Sequence, residues 1–574
     1  MKVVVIGGVA GGMSAAARLR RLDESAKIIV FERGEHVSFA NCGLPYHIGG
    51  DIPERASLLL RTPESLRETL DLDVRTENDV VAIDRVGQTV TVREVVTGRL
   101  YTETYDQLVL ATGATPLRPP LPGIDHPRVR TLRNIADMDD INDLLAGEVR
   151  SAVVVGGGYI GLEMVEALRN RGLRVTAVEA LDQVMTVLDR EMSQPLLEEL
   201  EANGVRVLLS KQVKGFIETP GRIAVDVGTE LIETDLVLLA IGVRPDSTLA
   251  RVADLELSER GAIVVNEQMR TSDPDIYAVG DSVQVIDTVT GEQVVIPLAG
   301  PANRQGRIAA DNIAGHRSAY TTTQGTGIVK LFGLTAATTG ANERTLTRLG
   351  LPFSKIYLHP FDHATYYPGA LQLHLKVLFD PVDGRLLGAQ IVGSEGVDKR
   401  IDVLAVALRA GMAIEDLESL ELAYAPPYGA AKDPINMAGF VGGNLRRGDV
   451  LAWQAEDWPT LPNAAFLLDV RSHAENAAWS IPGSTNIPLP ELRDRIAEIP
   501  LGRPVFVYCR SGFRSYLAQR LLVQRGHSDS RTLAGGELTF RMVHPSLPTT
   551  RNDVSDLPSF KPTFACQTVA ADSR

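Results

Sequence analysis

Cysteine is scarce in this chain: its 574 residues include three, Cys42, Cys509 and Cys566, far apart and in no Cys-x-x-Cys pair. That spacing excludes a disulfide scaffold and a cysteine-based structural zinc site, so no metal is expected and reduced thiols are. Long apolar runs are missing too. None reaches the roughly 18 residues of a membrane span, and the short apolar stretch after Lys2 runs into glycines before it is long enough for a secretory leader. We expect no membrane contact and a cytoplasmic location. Basic charge is in deficit, with 58 Lys and Arg against 72 Asp and Glu, a net charge of −14. That sign repels phosphate backbones and argues against nucleic acid as a partner.

What is present describes a folded chain of several domains. Hydrophobic residues make up 44% and charged residues 23%, close to globular averages. At roughly 150 residues per domain the length suggests about four. Val3 to Ile6 reads as a buried parallel strand, followed by Gly7-Gly8-Val9-Ala10-Gly11-Gly12, a helix to Leu22 and a second strand to Phe31 with Glu32 at its end. The same grammar returns at Ala152 to Val155, then Gly156-Gly157-Gly158-Tyr159-Ile160-Gly161, a helix, and a strand ending in Glu179. Such turns let a pyrophosphate approach the backbone at a helix start, and an acid some 20 positions on bonds the ribose. One glycine turn alone is weak evidence. Two copies, each with strand, helix and terminal acid, argue for two dinucleotide sites, although Val9 stands where the first copy should carry its second glycine.

Ala111-Thr112-Gly113, Leu239-Ala240-Ile241-Gly242 and Val279-Gly280-Asp281 each close a strand with small residues. In this order the motifs resemble the FAD-dependent pyridine nucleotide-disulfide oxidoreductases, in which an inserted nicotinamide domain splits the flavin domain. The resemblance implies an α/β chain with two Rossmann-like domains: a flavin domain over 1–112 and 242–318, and a nicotinamide domain over 113–241. An α+β dimerisation domain over 319–445 follows, which makes a homodimer the expectation. Residues 446–460, polar and tryptophan-bearing, read as a linker. Residues 461–548, with Asp469-Val470-Arg471 and Cys509-Arg510-Ser511-Gly512-Phe513-Arg514, resemble a rhodanese domain, and 549–574 read as a polar tail holding Cys566. FAD contacts are implied at Gly7, Gly8, Gly11, Gly12, Glu32, Arg33, Ala111, Thr112, Gly113, Gly242, Gly280 and Asp281. Nicotinamide-dinucleotide contacts are implied at Gly156, Gly158, Gly161 and Glu179, with Tyr159 lying over the flavin. No Lys or Arg follows Glu179 before Arg190, so NADH is favoured over NADPH, which stays the alternative.

Cys42 lies in Ser-Phe-Ala-Asn-Cys-Gly-Leu-Pro-Tyr, and the positions five residues away are Val37 and His47, so no neighbouring thiol can close a disulfide. One redox thiol must then form a sulfenic acid or a mixed disulfide with its substrate. The two motifs together resemble coenzyme A-disulfide reductases. That resemblance implies attack by Cys42 on a CoA disulfide, and the rhodanese-like stretch in the same chain suggests that CoA persulfide or polysulfide is a substrate as well. The reductase resemblance also implies proton donors at Tyr366, with Tyr367 as the alternative, and Tyr424, contributed by a second subunit. Coenzyme A contacts are implied at Ser14, Arg18, Arg21, Ser38, Asn41, Arg61 and Lys432. In related NADH oxidases and peroxidases a histidine holds the place of Ala10. Cys509 opens a loop whose amides and arginines, Arg510 and Arg514, would stabilise a thiolate or persulfide. Three readings follow: an NADH-dependent reductase of CoA persulfide, polysulfide and CoA disulfide; an NADH oxidase or peroxidase using a Cys42 sulfenate; and a redox sensor or sulfur relay with little turnover.

Overall fold

The computed structural model describes residues 1–547, so Cys566 and the tail from 549 lie outside the described residues. The chain forms two units, Met1–Arg446 and a second beginning at Arg447.

In the first unit, Lys2–Ile6 sits at the centre of a five-stranded parallel sheet, flanked by Lys27–Phe31 on one side and Gln107–Leu110 on the other. Ile276–Ala278 pairs beyond Gln107–Leu110, so chain from both sides of the inserted domain completes one sheet. Val3, Val4, Ile29 and Leu108 are fully buried, as apolar runs covered on both faces should be. Ser151–Val155 repeats the arrangement in a second parallel sheet, between Arg174–Val178 and Leu236–Leu239. A third, antiparallel sheet of five strands follows: Gly327–Leu331, Leu334–Gly340, Leu386–Gly393, His374–Phe379 and Ser354–Leu358 in spatial order. The helix Val397–Arg409 covers it with Ile401 and Leu404.

This third sheet is locked to the second domain by a buried ionic cluster. The Lys376 ammonium is fully buried and meets Asp189 at 2.7 Å, Glu191 at 2.5 Å and also Glu343. Burial pulls its pKa down, but the Glu191, Asp189 and Glu343 carboxylates outweigh that and push it up. Gln390 closes the cluster, donating to Asp189 at 2.7 Å while accepting from its amide at 2.8 Å. The three acids come close enough to hold a cation, and the cation is Lys376.

The second unit is a parallel sheet in the spatial order Ala452–Trp453, Ser530–Leu533, Val505–Tyr508, Phe466–Asp469, Thr485–Asn486. Its edge strand corrects the reading of 446–460 as a linker. Ala452–Trp453 pairs with Thr532 and Leu533, the Trp453 ring is buried, and Ala455–Thr460 forms a 3-10 turn capped by Asp457. A two-residue strand is too short to show alternation, and the turn's capping polar residues look like a solvated connector in sequence.

Lys376→Met should destabilise the first unit by on the order of 3–5 kcal/mol, because it leaves buried carboxylates without a counter-charge. The check is the shift of its denaturant midpoint.

Candidate active site

The two glycine turns are built alike. Gly7 and Gly156 take positive φ of 108° and 111°, a conformation that favours glycine. A Cβ on Gly12 would lie 1.9 Å from the Gly7 oxygen, and one on Gly161 would lie 2.0 Å from the Gly156 oxygen. The acids also match. Glu32 accepts from the Gly8 and Gly34 amides, both at 2.8 Å, and Glu179 from Gly157 at 2.7 Å and Leu181 at 2.9 Å. Each carboxylate orders its turn and keeps acceptor capacity for a ribose. Val9 adopts φ −113°, which any residue can take, and lines the cavity beside the turn. The missing second glycine therefore costs the first turn no backbone geometry. Gly306 is needed for another reason: a Cβ there would lie 2.2 Å from the Gly11 oxygen, where the helices Ala10–Leu22 and Ala299–Ile313 cross.

One cavity of about 1600 Å³ runs from Glu32 to Glu179, beyond the roughly 300–1,000 Å³ typical of a pocket for one drug-sized ligand. Ala111, Thr112, Gly113, Gly242 and Asp281 line it as expected. Gly280 also lines it and is held by the Gln305 side chain, which accepts from its amide at 2.7 Å. Thr112 donates to the Asp246 carbonyl at 2.5 Å, and Arg33 pairs with the Asp246 carboxylate at 3.1 Å, tying the first crossing to the second. Sequence reasoning missed Asp246 and also Lys211, which lines the Glu179 end. Lys211 lies 32 positions beyond Glu179 in sequence, and strand pairing brings its amide to the Glu179 carbonyl at 3.0 Å. It puts a cation where Glu179 alone would oppose a 2′-phosphate.

Cys42 also lines this cavity, from the turn Asn41–Gly43 ahead of the helix Leu44–Gly49. Its sulfur is exposed to the cavity, 3.9 Å from the Asn41 side-chain oxygen. The helix Tyr159–Asn170 packs closely here, since a Cβ on Gly49 would lie 3.1 Å from the Ala167 Cα. That helix brings Glu163, which sequence reasoning also missed. Tyr46 donates to Glu163 at 3.4 Å. Burial, with a contribution from Glu166, pushes the Glu163 carboxyl up to about 7, against the pull of that bond. Burial and Glu163 push Tyr46 up to about 12 and Tyr159 likewise to about 12. Tyr159 also fixes the far wall: a Cβ on Gly327 would lie 2.3 Å from its hydroxyl. Burial, then Glu163 and Asp281, raises the Cys42 thiol above its ordinary value. The surroundings favour the thiol over the thiolate, and protonating Glu163 removes one opposing charge.

Of the coenzyme A set, Asn41 alone lines this cavity. Ser14 bonds Asn303 at 2.5 Å, Arg18 pairs with Asp311 at 2.7 Å, and Arg21, Arg61 and Lys432 are exposed on the surface. Ser38 acts through its backbone, donating to the Gly8 carbonyl at 2.8 Å and accepting from Leu60 at 3.2 Å. Tyr366 and Tyr424 share a hydroxyl hydrogen bond of 2.6 Å, and neither lines the cavity of its own chain. Tyr367 instead turns its ring edge-on to His363.

In the second unit, Cys509 is buried and its sulfur accepts from the Gly512 amide at 3.2 Å. Gly512 takes φ +98°, and the Cys509 carbonyl accepts from the Glu537 amide at 2.8 Å. Arg510 lies half-buried beside the thiol and its carbonyl accepts from the Leu538 amide at 3.1 Å. The Arg514 guanidinium forks onto Glu475 at 2.6 and 2.8 Å, and its charge also interacts with Cys509. Burial works the other way, but Arg514 and the Ser472 cap hold the Glu475 carboxyl at about 2. Beneath the loop, fully buried Arg471 pairs with Asp469 at 2.6 Å and Glu537 at 2.7 Å.

With the cradles and cavity in place, the comparison with known proteins is decisive for class. The chain belongs to the pyridine nucleotide-disulphide oxidoreductases, whose family model matches residues 1–306, with the family's dimerisation domain matching 327–433 and a rhodanese-like domain matching 451–540. These are flavoproteins that use FAD and NAD(H), and two acid-ended glycine turns opening on one cavity fit that pair. Among relatives, the coenzyme A disulfide reductase of Staphylococcus haemolyticus (strain JCSC1435) is 35% identical over 446 residues, covering 77% of this chain and 100% of its own. That of Staphylococcus aureus (strain JH9) is 36% identical over 441 residues, 76% and 99%. Among solved structures, reduced Bacillus anthracis CoADR-RHD superposes with TM-score 0.92 at 45% identity, covering 95% of this chain and 98% of that one. A NAD-dependent persulfide reductase from A. fulgidus gives 0.89 at 39%, covering 94% and 100%. A water-forming NADH oxidase from Lactobacillus brevis gives 0.76 at 28%, covering 78% and 99%. No helix among the described residues is long and apolar enough to cross a membrane.

Glu163→Gln should lower the Cys42 pKa and speed alkylation of Cys42 between about pH 7 and 9, by up to about tenfold, the equivalent of one pKa unit. Alkylation rates against pH, with Cys509→Ser as background, give the measurement.

Proposed function

We propose that this protein is an NADH-dependent reductase of coenzyme A persulfide, polysulfide and coenzyme A disulfide, working as a homodimer, with Cys509 carrying sulfane sulfur. The observation that carries the reading is a solitary thiol, Cys42, facing the cavity onto which both glycine turns open. Relatives that are named coenzyme A disulfide reductases, and a solved persulfide reductase spanning both units, support the same substrate class.

FAD, when bound, supplies a two-electron relay from NADH. The chain's own residues do the rest. The Cys42 thiolate attacks the CoA-side sulfur of CoA-S-S-R, forming a Cys42–CoA mixed disulfide and expelling RS⁻, which is hydrosulfide when the substrate is a persulfide. Two electrons from NADH then break that bond, restoring the Cys42 thiolate and releasing the CoA thiolate. Protonation of Glu163 favours the thiolate for the next turnover. The Tyr366–Tyr424 pair lies outside the lining of its own chain's cavity, which fits proton donation to the departing thiolate in a second copy. Asn41 lies beside the reacting sulfur, and the Ser14, Arg18, Arg21, Ser38, Arg61 and Lys432 positions are assigned to the rest of CoA. In the second unit the Gly512 amide and Arg510 stabilise an anionic persulfide on Cys509. Lys211 beside Glu179 supports measurable use of NADPH below that of NADH.

Cys42→Ser should lower turnover of CoA disulfide and CoA persulfide by on the order of 10³-fold or more, while FAD is still reduced by NADH in single-turnover absorbance. Cys509→Ser should keep CoA-disulfide turnover and lose sulfur transfer from thiosulfate-type or polysulfide donors. Dioxygen consumption faster than sulfur reduction would replace this reading with an oxidase; stable persulfide on Cys509 with negligible NADH turnover would replace it with a relay.

A further inference from the structure

The turn presenting Tyr366 closes around a histidine in an unusual bonding situation. His363 is buried between Asp362 and Pro368. Its Nδ1 lies 2.7 Å from the Asp362 Oδ2 and its Nε2 lies 3.3 Å from the Pro368 carbonyl oxygen. Neither oxygen has a hydrogen to give, since Pro368 offers a carbonyl and the other Asp362 oxygen already accepts from the Leu371 amide at 2.6 Å. A neutral imidazole donates from one nitrogen only, so either tautomer would turn a lone pair onto an oxygen. The imidazolium alone satisfies both contacts. The hydrogen bond to Asp362, with the charge of that carboxylate, raises the His363 pKa.

The charged and titratable groups around it hold the same region. Arg400 donates to the Asp362 carbonyl at 2.6 Å and to the Asp433 carboxylate at 3.1 Å. Lys399 faces Asp433 at 3.6 Å and the Ala423 and Tyr428 carbonyls, each at 3.4 Å, on the loop bearing Tyr424. Tyr367 packs its ring against the imidazole at 5.7 Å. The Ala364 amide donates to the Gly429 carbonyl at 2.9 Å, joining the two tyrosine loops, and Tyr366 meets Tyr424 above them. Among these side-chain types only imidazole ordinarily titrates between pH 5 and 8.

We infer that His363 is a positioning residue for the Tyr366–Tyr424 pair: as imidazolium it ties the Pro368 carbonyl to the Asp362 carboxylate and closes the turn that presents Tyr366. The inference rests on Tyr366 acting as a proton donor in the proposed reaction. The tie is complete below the usual histidine value of about 6.5 and is lost as pH rises through the elevated folded-state value.

The test is kcat for CoA-disulfide reduction against pH, from about 6 to 10, with the full-length FAD-loaded enzyme. The wild type should lose turnover along an alkaline limb. His363→Gln should lower kcat roughly tenfold at neutral pH and abolish that limb, while NADH still reduces FAD at the wild-type rate. Asp362→Asn should also abolish the limb but keep turnover high. Its side chain can donate to Nδ1, leaving a neutral ring with its N–H on Pro368 at every pH. Combining Tyr366→Phe with His363→Gln should cost no more than the worse of the two alone. A wild-type limb in both Asp362→Asn and His363→Gln, while Tyr366→Phe slows the enzyme, overturns the inference and spares the proton-donor assignment. Unchanged turnover in Tyr366→Phe overturns that assignment and the inference with it. Should His363→Gln fail to fold, the Asp362→Asn profile decides alone.

Discussion

The catalytic unit depends on two contacts that no side chain could survive: Gly12 against the Gly7 oxygen and Gly161 against the Gly156 oxygen. Each brings a helix start hard against its strand end, at the wall of the cavity. Glu32 and Glu179 then brace these turns from the neighbouring strand ends. Both turns line one cavity, and Cys42 lines it too. The rest of the first unit preserves that alignment, through the Gly11–Gly306 helix crossing on one side and the Lys376 cluster on the other.

The two thiols stand in opposite electrostatic settings. Cys42 lines the cavity, yet burial, and then the Glu163 and Asp281 charges, resist the thiolate that the chemistry needs. Protonating Glu163 removes one of those opposing charges, while burial remains the larger part of the resistance. Cys509 is buried under a loop whose Gly512 amide points at the sulfur, with Arg510 alongside. The loop arginine Arg514 is paired with Glu475, and its charge still acts on Cys509. An amide-lined nest with modest positive charge suits holding a sulfur anion more than driving a fast attack.

Legibility followed how local each determinant was. The glycine turns, their acids, the buried strands and the Cys509 loop are all set by residues within about 25 positions of one another, and sequence reading placed them within a residue or two. Val9 looked like a defect in the first turn, yet the backbone there needs no glycine. Glu163, Lys211 and Asp246 were missed because nothing in their own neighbourhoods marks them; a helix crossing, a strand pairing and a domain crossing deliver them to the cavity. The stretch 446–460 misled for the complementary reason: two residues of edge strand carry no period, and its capping acids look solvated until Trp453 is seen buried.

By itself the sequence determined the class of chemistry, because glycine, acid and cysteine at those spacings satisfy short-range steric and hydrogen-bonding demands that few other patterns meet. It also determined that Cys42 has no thiol within reach along the chain. Tertiary structure alone decided which charges surround that thiol, that Arg514 pairs with Glu475, and that Tyr366 rather than Tyr367 pairs with Tyr424. Those outcomes are sums of Coulombic and hydrogen-bond terms between residues tens to hundreds of positions apart, and only the packed backbone sets their distances.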